Sequence, residues 1–459
     1  MPDDVPGFTL TVHQNEWLPV GSREVHAILD VRTAEAAGPD RRGVADRPPA
    51  SAEVIVIDQS GSMTGRKIQH AAQAAIAAVE VLPDGTHFAV VAGESTAHMV
   101  YPHREKLVRA DPGSRADARK ALEKLSVLGG THMSTWLHLT DRLLTARSVP
   151  PLRHALMLTD GLNTEGESAL DKALEACRGH FVCDCRGVGD DWNIDQVKHV
   201  AQTLLGTWKP IADPEQLAAD FRDVMAASAR KRMPDVALRV RKHPVARLVR
   251  FAQVQPSIED LTASGTTAGG ATVFALGSWG NGEKRSYHLQ IDVEKDDLGL
   301  EVEGGGKAAG LDIHVPGQDA APTASATVRV RWTADPGKYG VINERVAVFA
   351  GQEDLARLVN RAVRAWNGQE GDVTALIGQA VALAHRIGRD DVLEKLSQIA
   401  RIDDPEQGVV RPRPRNQVRP STTFQLAWET EQTQSYGLDD DAGGDADDDR
   451  PPAGRDRFR

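Results

Sequence analysis

The sequence predicts an α/β fold: a doubly wound, mostly parallel sheet inserted in a β-sandwich, followed by a small helical bundle and a disordered tail. Three observations lead to this prediction. Apolar strands alternate with helices in one long segment, strands of alternating polarity flank it, and the C-terminal end is highly charged. The expected regions are N-terminal sandwich strands (1–48), the α/β domain (49–230), the β-sandwich (231–345), the helical bundle (346–403) and the tail (404–459).

Two short apolar runs in the α/β segment predict buried strands, and each leads into an acid. Residues 54–57 precede Asp58, and residues 155–159 precede Asp160. Open α/β sheets bind ligands at the carboxyl ends of their strands, so both acids are candidate site residues. The other predicted strands are 87–92, 180–188 and 208–212, and the predicted helices are 67–81, 115–125, 136–146, 168–178 and 194–205.

Hydroxyl residues accompany the two acids. Ser60 and Ser62 follow Asp58 at every second position, and Thr131 lies in a glycine-rich turn before a predicted helix. Carboxylate and hydroxyl oxygens are hard ligands that suit Mg²⁺ with some waters left in place. A turn of the Asp-x-Ser-x-Ser type without metal can instead cap the following helix, so the first motif alone leaves both interpretations open.

Taken together, the five residues resemble the metal-ion-dependent adhesion site of the von Willebrand factor type A (VWA) domain. The resemblance covers roughly residues 50–228 and implies that Ser60, Ser62 and Thr131 coordinate one Mg²⁺ or Mn²⁺. It also implies that Asp58 and Asp160 act directly or through water. One coordination position then remains for an exposed acidic residue of a protein ligand.

The sequence on both sides of this domain has the pattern of β-strands. Residues 8–12 and 24–32 alternate apolar and polar side chains, and five similar runs follow residue 230. Two strands are not stable alone, so we expect the N-terminal pair to join the later strands. The α/β domain is then an insertion. The run 14–21 resembles that of bacterial cytoplasmic type A proteins.

Charge and composition restrict the classes of partner. The formal net charge of −11 argues against nucleic-acid binding. The N-terminus does not resemble a signal peptide, and no apolar run reaches transmembrane length, so we expect a cytoplasmic protein without a membrane partner. Cys177, Cys183 and Cys185 cluster near His180, but their spacing matches no common zinc pattern. We expect them to be buried apolar residues in a reducing compartment.

The C-terminal quarter predicts helices and then disorder. Residues 352–366, 372–387 and 391–402 have helical apolar spacing, which predicts a bundle that packs on itself or, alternatively, a docking helix for a partner. From residue 404 the chain is rich in proline and charge, which predicts a disordered tail.

Four threonines lie beside aromatic residues within this predicted tail: Thr422, Thr423, Thr430 and Thr433. We expect an exposed, extended segment that a Ser/Thr kinase modifies. A phosphothreonine could be bound by a forkhead-associated domain protein, a partner suggested by the family context, or by Arg411, Arg413 and Arg415. A plain spacer is the alternative interpretation.

The expected function is a non-enzymatic scaffold that binds a protein through metal, with a link to kinase signalling. No catalytic grouping is indicated by spacing, and the glycines at 304–306 lack the Gly-Lys-Ser/Thr of a phosphate loop. Two alternatives use the same domain: a metal-dependent hydrolase or phosphatase, and an accessory subunit of an AAA+ ATPase. An Mg²⁺ site can support hydrolysis, so the first alternative stays open.

Overall fold

The computed structural model describes residues 7–35, 50–294, 306–315, 322–369 and 371–434. The strands are β1 Phe8–Gln14, β2 Trp17–Pro19, β3 Glu24–Thr33, β4 Ser51–Asp58, β5 His87–Gly93, β6 Ala97–Tyr101, β7 Val108–Arg109, β8 Leu152–Thr159, β9 Val182–Val188, β10 Trp208–Ile211, β11 Lys231–Lys242, β12 Ala246–Gln255, β13 Glu259–Asp260, β14 Thr266–Ala268, β15 Ala271–Gly280, β16 Lys284–Val293, β17 Gly306–His314, β18 Ala324–Thr333, β19 Ala400–Asp404 and β20 Val409–Pro412. The helices are α1 Arg66–Glu80, α2 Pro112–Leu122, α3 Met133–Leu144, α4 Glu167–Cys177, α5 Ile194–Thr203, α6 Leu217–Ala229, α7 Pro336–Tyr339, α8 Glu344–Trp366, α9 Val373–Arg386, α10 Asp390–Ile399 and α11 Pro420–Glu431.

The central sheet of the α/β domain has seven strands in the order β10-β9-β8-β4-β5-β6, with β7 paired to β5. The pairs from β10 to β5 are parallel, and β6 and β7 are antiparallel additions. Helices α3, α4 and α5 bury one face of the sheet, and α1, α2 and α6 bury the other. The doubly wound, mostly parallel sheet predicted from the sequence is confirmed.

The β-sandwich is built from two sheets with the orders β1-β3-β16-β12-β13 and β14-β15-β11-β17-β18-β2. Strand β3 lies between β1 and β16, and β2 runs parallel to β18. The strands before the α/β domain therefore complete both sheets with strands that follow it. The insertion predicted from the sequence is present, and the sandwich core lies between the two sheets around Phe251, Phe274 and Trp279.

The helical region packs on itself and also on the α/β domain. Helices α8, α9, α10 and α11 share one buried apolar cluster with α3, α4 and α5. The ring of Phe424 in α11 lies 4.6 Å from the ring of Trp192, which follows β9. The predicted helix at 391–402 ends earlier than expected, at Ile399, because the chain continues into β19.

The structure corrects the prediction that the chain is disordered from residue 404. Strands β19 and β20 pair, and α11 buries Phe424, Leu426 and Ala427 against the rest of the chain. The prolines that suggested disorder fit this order, because Pro412 ends an edge strand and Pro420 opens α11. Residues 435–459, which include the acidic run, lie outside the described residues.

The three cysteines are free and buried. Cys183 and Cys185 lie on one face of β9 with their sulfur atoms 3.9 Å apart, and Cys177 ends α4. His180 Nδ1 instead lies 2.7 Å from Asp141 Oδ1. No helix within the described ranges has the length and apolarity needed to cross a membrane.

Candidate metal-binding site

The five predicted site residues lie where strand ends and loops of the α/β domain meet. Asp58 is the last residue of β4, and Asp160 directly follows β8, the parallel neighbour of β4. Ser60 and Ser62 lie in the turn between β4 and α1, while Thr131 precedes α3. Parallel strands bring their carboxyl ends to one edge of the sheet, and this arrangement follows from that topology.

Hydrogen bonds connect four of these residues. Asp58 accepts from the Ser60 amide at 2.7 Å and from the Thr159 hydroxyl at 2.6 Å. The hydroxyl oxygens of Ser60 and Ser62 are 2.9 Å apart, and Ser62 donates to Asp160 Oδ1 at 2.6 Å. Both carboxylates are fully buried, so their charges are shielded little by solvent.

The three hydroxyls converge beside Gly161. A Cβ atom built on this glycine would lie 2.9 Å from Ser62 Oγ, 3.2 Å from Thr131 Oγ1 and 3.5 Å from Ser60 Oγ. Glycine is the residue that leaves this space free. These three hydroxyls, with Asp160 bonded to Ser62 and Asp58 bonded to the Ser60 amide, form an oxygen donor set that fits a divalent cation such as Mg²⁺ or Mn²⁺.

The electrostatics of Asp58 favour a cation at this position. Burial raises the pKa of Asp58 above its ordinary value, although hydrogen bonds from Ser60 and Thr159 act in the opposite direction. The nearby charge of Asp160 raises the pKa of Asp58 further. A bound divalent cation would offset both the burial of the carboxylate and the repulsion between the two acids.

Lys67 is part of the site and was missed in the sequence. Its ammonium lies 2.6 Å from Asp160 Oδ2 and 3.4 Å from Asp191 Oδ2. Burial works against the charged form, but the hydrogen bond and attraction from Asp160 outweigh it, and the pKa of Lys67 is raised. A lysine in the first turn of a helix opposes the helix dipole, so its position in α1 was a signal of a nearby acid.

Thr131 is held in place by two neighbouring loops. Its carbonyl accepts from the Thr164 amide at 2.8 Å and from the Thr164 hydroxyl at 2.9 Å. The adjacent Gly130 amide donates to Ser95 Oγ at 3.0 Å. Two other chain segments therefore fix the backbone at Thr131, a residue far from the first motif in the sequence.

Two leucines are exposed at the edge of the site. Leu128 precedes Thr131 by three residues, and Leu162 directly follows Gly161; their side chains are 51% and 54% exposed. The Leu128 amide donates to the Gln59 carbonyl at 2.6 Å, so this loop lies against the first motif. Exposed leucines beside a polar site provide apolar contact area for a partner.

The four candidate phosphorylation residues lie elsewhere, in or next to α11. The predicted exposed and extended conformation is wrong, because Thr423 and Thr430 are fully buried. Their hydroxyls donate to the carbonyls of Pro420 and Leu426 at 2.8 and 2.6 Å. Modification of these two requires α11 to unfold. Phosphorylation of the half-buried Thr422 and Thr433 stays a prediction.

The arginines expected to bind a phosphothreonine already have partners. Arg411 pairs with Asp403 at 2.7 Å, and Arg413 and Arg415 donate to the carbonyls of Ser397 and Ala365. These contacts tie the C-terminal segment to the helical region. The arginines therefore serve the packing of this segment in the described structure.

Known sequences match the α/β domain. Residues 52–209 match the von Willebrand factor type A domain, and this range includes all five predicted site residues. An uncharacterised Synechocystis protein is 28% identical over 219 residues, which are 45% of this chain and 49% of that protein. Human inter-alpha-trypsin inhibitor heavy chain H4 is 28% identical over 180 residues, covering 37% of this chain and 19% of the human protein. The chain thus spans less than half the length of these two relatives.

Solved structures match nearly the whole chain. A von Willebrand factor type A protein from Catenulispora acidiphila superposes with a TM-score of 0.84 and 33% identity, covering 95% of this chain and 99% of that one. An ArnB paralog, VWA2, from Sulfolobus acidocaldarius has a TM-score of 0.52 at 12% identity over 93% of this chain and 99% of its own, which shows a shared fold. The extensive match to the Catenulispora structure, together with the motif geometry, shows that this chain belongs to the von Willebrand factor type A domain family.

Proposed function

We propose that this protein is a non-enzymatic scaffold that binds a protein partner through a divalent cation and a carboxylate of that partner. The convergence of the Ser60, Ser62 and Thr131 hydroxyls beside Gly161, between two buried aspartates, carries the proposal. When bound, Mg²⁺ or Mn²⁺ would supply an open coordination position for an anionic oxygen. The protein contributes the oxygen ligands and a fixed geometry around them.

The surroundings of the site indicate which acidic partner fits. Leu128 and Leu162 expose more than half of their side chains within three residues of a proposed ligand. A partner segment that presents Asp or Glu next to an apolar side chain would satisfy both the cation and the leucines. The apolar contacts would add affinity that is less sensitive to salt than the carboxylate contact.

The proposal includes a cytoplasmic location, and its link to kinase signalling now depends on Thr422 and Thr433, the two half-buried candidate threonines. Three free and buried cysteines are compatible with a reducing compartment, which supports the location. Three of the four candidate threonines lie in α11 and Thr433 follows it, and Thr423 and Thr430 are fully buried. The hydrolase and ATPase-accessory interpretations gain no support from the contacts around the site.

A peptide selection on the full-length protein tests this function. A random peptide library is panned in Mg²⁺ and in excess EDTA. We expect peptides that bind only in Mg²⁺, contain Asp or Glu with an apolar neighbour, and lose binding when the acid is changed to its amide. Ser62→Ala should abolish binding.

Thr64→Ala is the matched control, because its exposed hydroxyl lies in the same turn and donates to the Gly61 carbonyl outside the ligand set. This variant should retain peptide binding. Selected peptides without acids, or binding that is equal in EDTA, would contradict the proposal.

A further inference from the structure

The segment 419–434, here called the C-terminal clasp, contacts the α/β domain next to the metal-binding site. Arg419 pairs with Asp190 Oδ2 at 2.9 Å, and the Ser421 amide donates to Asp190 Oδ1 at 2.8 Å. Phe424 packs on Trp192 with ring centroids 4.6 Å apart. The clasp therefore holds two residues of the short loop that connects β9 to α5.

The other end of the clasp joins all three parts of the molecule. The buried Glu431 carboxylate accepts hydrogen bonds from Lys198 and from Trp208 Nε1 in the α/β domain, and from Asn360 in α8. The Ile258 amide of the sandwich donates to the Glu431 carbonyl at 2.8 Å. A movement of the sandwich or of the helical region relative to the α/β domain would thus change the contacts that hold α11.

The loop held by the clasp also reaches the metal-binding site. Asp191, the neighbour of Asp190, lies 3.4 Å from the Lys67 ammonium, and Lys67 lies 2.6 Å from Asp160. Asp160 in turn accepts from Ser62. Arg419 is therefore linked to the proposed cation ligands through Asp190, its chain neighbour Asp191, and the ion pairs of Lys67 with Asp191 and Asp160.

The position of Lys67 affects the affinity of the site for a cation. An ammonium against Asp160 neutralises that carboxylate and repels a divalent ion placed beside it. Asp190 follows Gly189, and a Cβ atom built on that glycine would lie 3.8 Å from the Lys67 ammonium, so the charge of Asp190 acts on Lys67 at short range, and Arg419 offsets that charge while it is bound. If the clasp detaches, Asp190 loses its partner, and two loop acids then compete with Asp160 for Lys67.

Building on the function proposed above, we propose that the C-terminal clasp regulates the metal-binding site through Lys67. The attached clasp keeps Lys67 on Asp160 and weakens cation binding, and the detached clasp draws Lys67 away and strengthens it. By linkage, a bound cation favours detachment by the same factor. A partner that binds α11 near Glu431 would therefore change the cation affinity of the metal-binding site, to which the other end of the clasp is linked through Arg419.

Calorimetric titration of the full-length protein with Mn²⁺ tests the coupling. Arg419→Ala and Phe424→Ala should each bind Mn²⁺ about five-fold more tightly than the wild type, the lower end of usual couplings. Lys67→Met should also bind more tightly, because the competing ammonium is gone. Adding Arg419→Ala to Lys67→Met should not raise the Mn²⁺ affinity further, because Lys67, which transmits the effect of the clasp, is absent.

Arg364→Ala is the matched control. Arg364 also joins the helical region to an aspartate of the α/β domain, at 2.8 Å from Asp195, and should leave Mn²⁺ affinity unchanged. Hydrogen exchange gives a second readout. Amides of residues 421–431 should exchange faster with Mn²⁺ in the wild type and not in Lys67→Met.

The outcomes separate the two proposals. No Mn²⁺ binding by the folded wild type overturns the proposed function and this inference with it. Binding by the wild type with equal affinity in Arg419→Ala, or an additive gain in the double variant, overturns the regulation alone. If Arg419→Ala fails to fold, Phe424→Leu and the exchange measurement decide the question.

Discussion

Replacing Gly161 by alanine should weaken cation binding at least tenfold while leaving the fold intact. The new methyl carbon would lie 2.9, 3.2 and 3.5 Å from the hydroxyl oxygens of Ser62, Thr131 and Ser60. The closest of these is shorter than a van der Waals contact, so the hydroxyls must move by a few tenths of an ångström. Mg²⁺ requires near-octahedral ligands at about 2.1 Å, so this movement destroys its shell. We expect at least a tenfold loss of Mg²⁺ affinity, equivalent to about 1.4 kcal/mol.

The same substitution should cost little stability. The backbone of Gly161 does not have the positive φ that restricts a position to glycine, and the closest atom belongs to the exposed hydroxyl of Ser62. We expect the free energy of unfolding to fall by less than about 1 kcal/mol. Calorimetry with Mg²⁺ and thermal denaturation measure the two quantities on one sample.

Gly166→Ala is the control, because its Cβ would meet nothing within 4 Å in the same loop. It should bind Mg²⁺ like the wild type. A folded Gly161→Ala protein that binds Mg²⁺ within twofold of the wild type would refute the assignment of the space beside Gly161 as the cation site.

Three further predictions concern the site, the core and the topology. Asp58→Ala should show no heat of Mg²⁺ binding in calorimetry, and retained binding would remove Asp58 from the ligand set. His154→Leu should lose up to about 3–5 kcal/mol in denaturant unfolding, because Glu53 and Asp184 lose the imidazolium that pairs with both, although Ser228 and Thr207 still donate hydrogen bonds to them. Burial alone would lower the pKa of His154, but the two carboxylates raise it to about 10, so the advantage of the wild type should be complete below about pH 6.5 and fade as the pH rises to about 10. Deleting residues 1–36 should abolish the cooperative melting of the sandwich, because β16 loses its partner β3, and an unchanged melting curve would contradict the insertion.

The α/β domain and the first motif of its site were predictable because their signals are local, whereas Thr131 and Asp160 were joined to that motif through the resemblance to the type A domain. A β-branched run ending in Asp58, and the close spacing of Ser60 and Ser62, are readable within a dozen residues. Strand β17 was missed although it lies inside a sheet, between β11 and β18. Its glycines and alanines have low strand propensity, and pairing on both sides stabilises it instead.

The features that were missed or misjudged depend on contacts between distant parts of the chain. The order of α11 depends on Phe424 meeting Trp192, more than two hundred residues earlier. The charge and proline content near residue 411 suggested disorder because composition carries no information about such partners. The role of Lys67 likewise depends on how α1 is oriented over β8, which the sequence of the helix does not specify.

The pairing of β3 with β16 also determines the order in which the chain can fold. Asp30 and Ser286 are register partners 256 residues apart, joined by a side-chain hydrogen bond of 2.7 Å. At typical synthesis rates, β16 leaves the ribosome roughly 10–50 s after β3. The inserted domain has time to complete its own sheet in this interval, whereas β3 has a hydrogen-bonding edge with no partner. We therefore expect aggregation of this protein to begin from nascent chains, and mutations in β3 to affect yield in cells more than the stability of the finished fold.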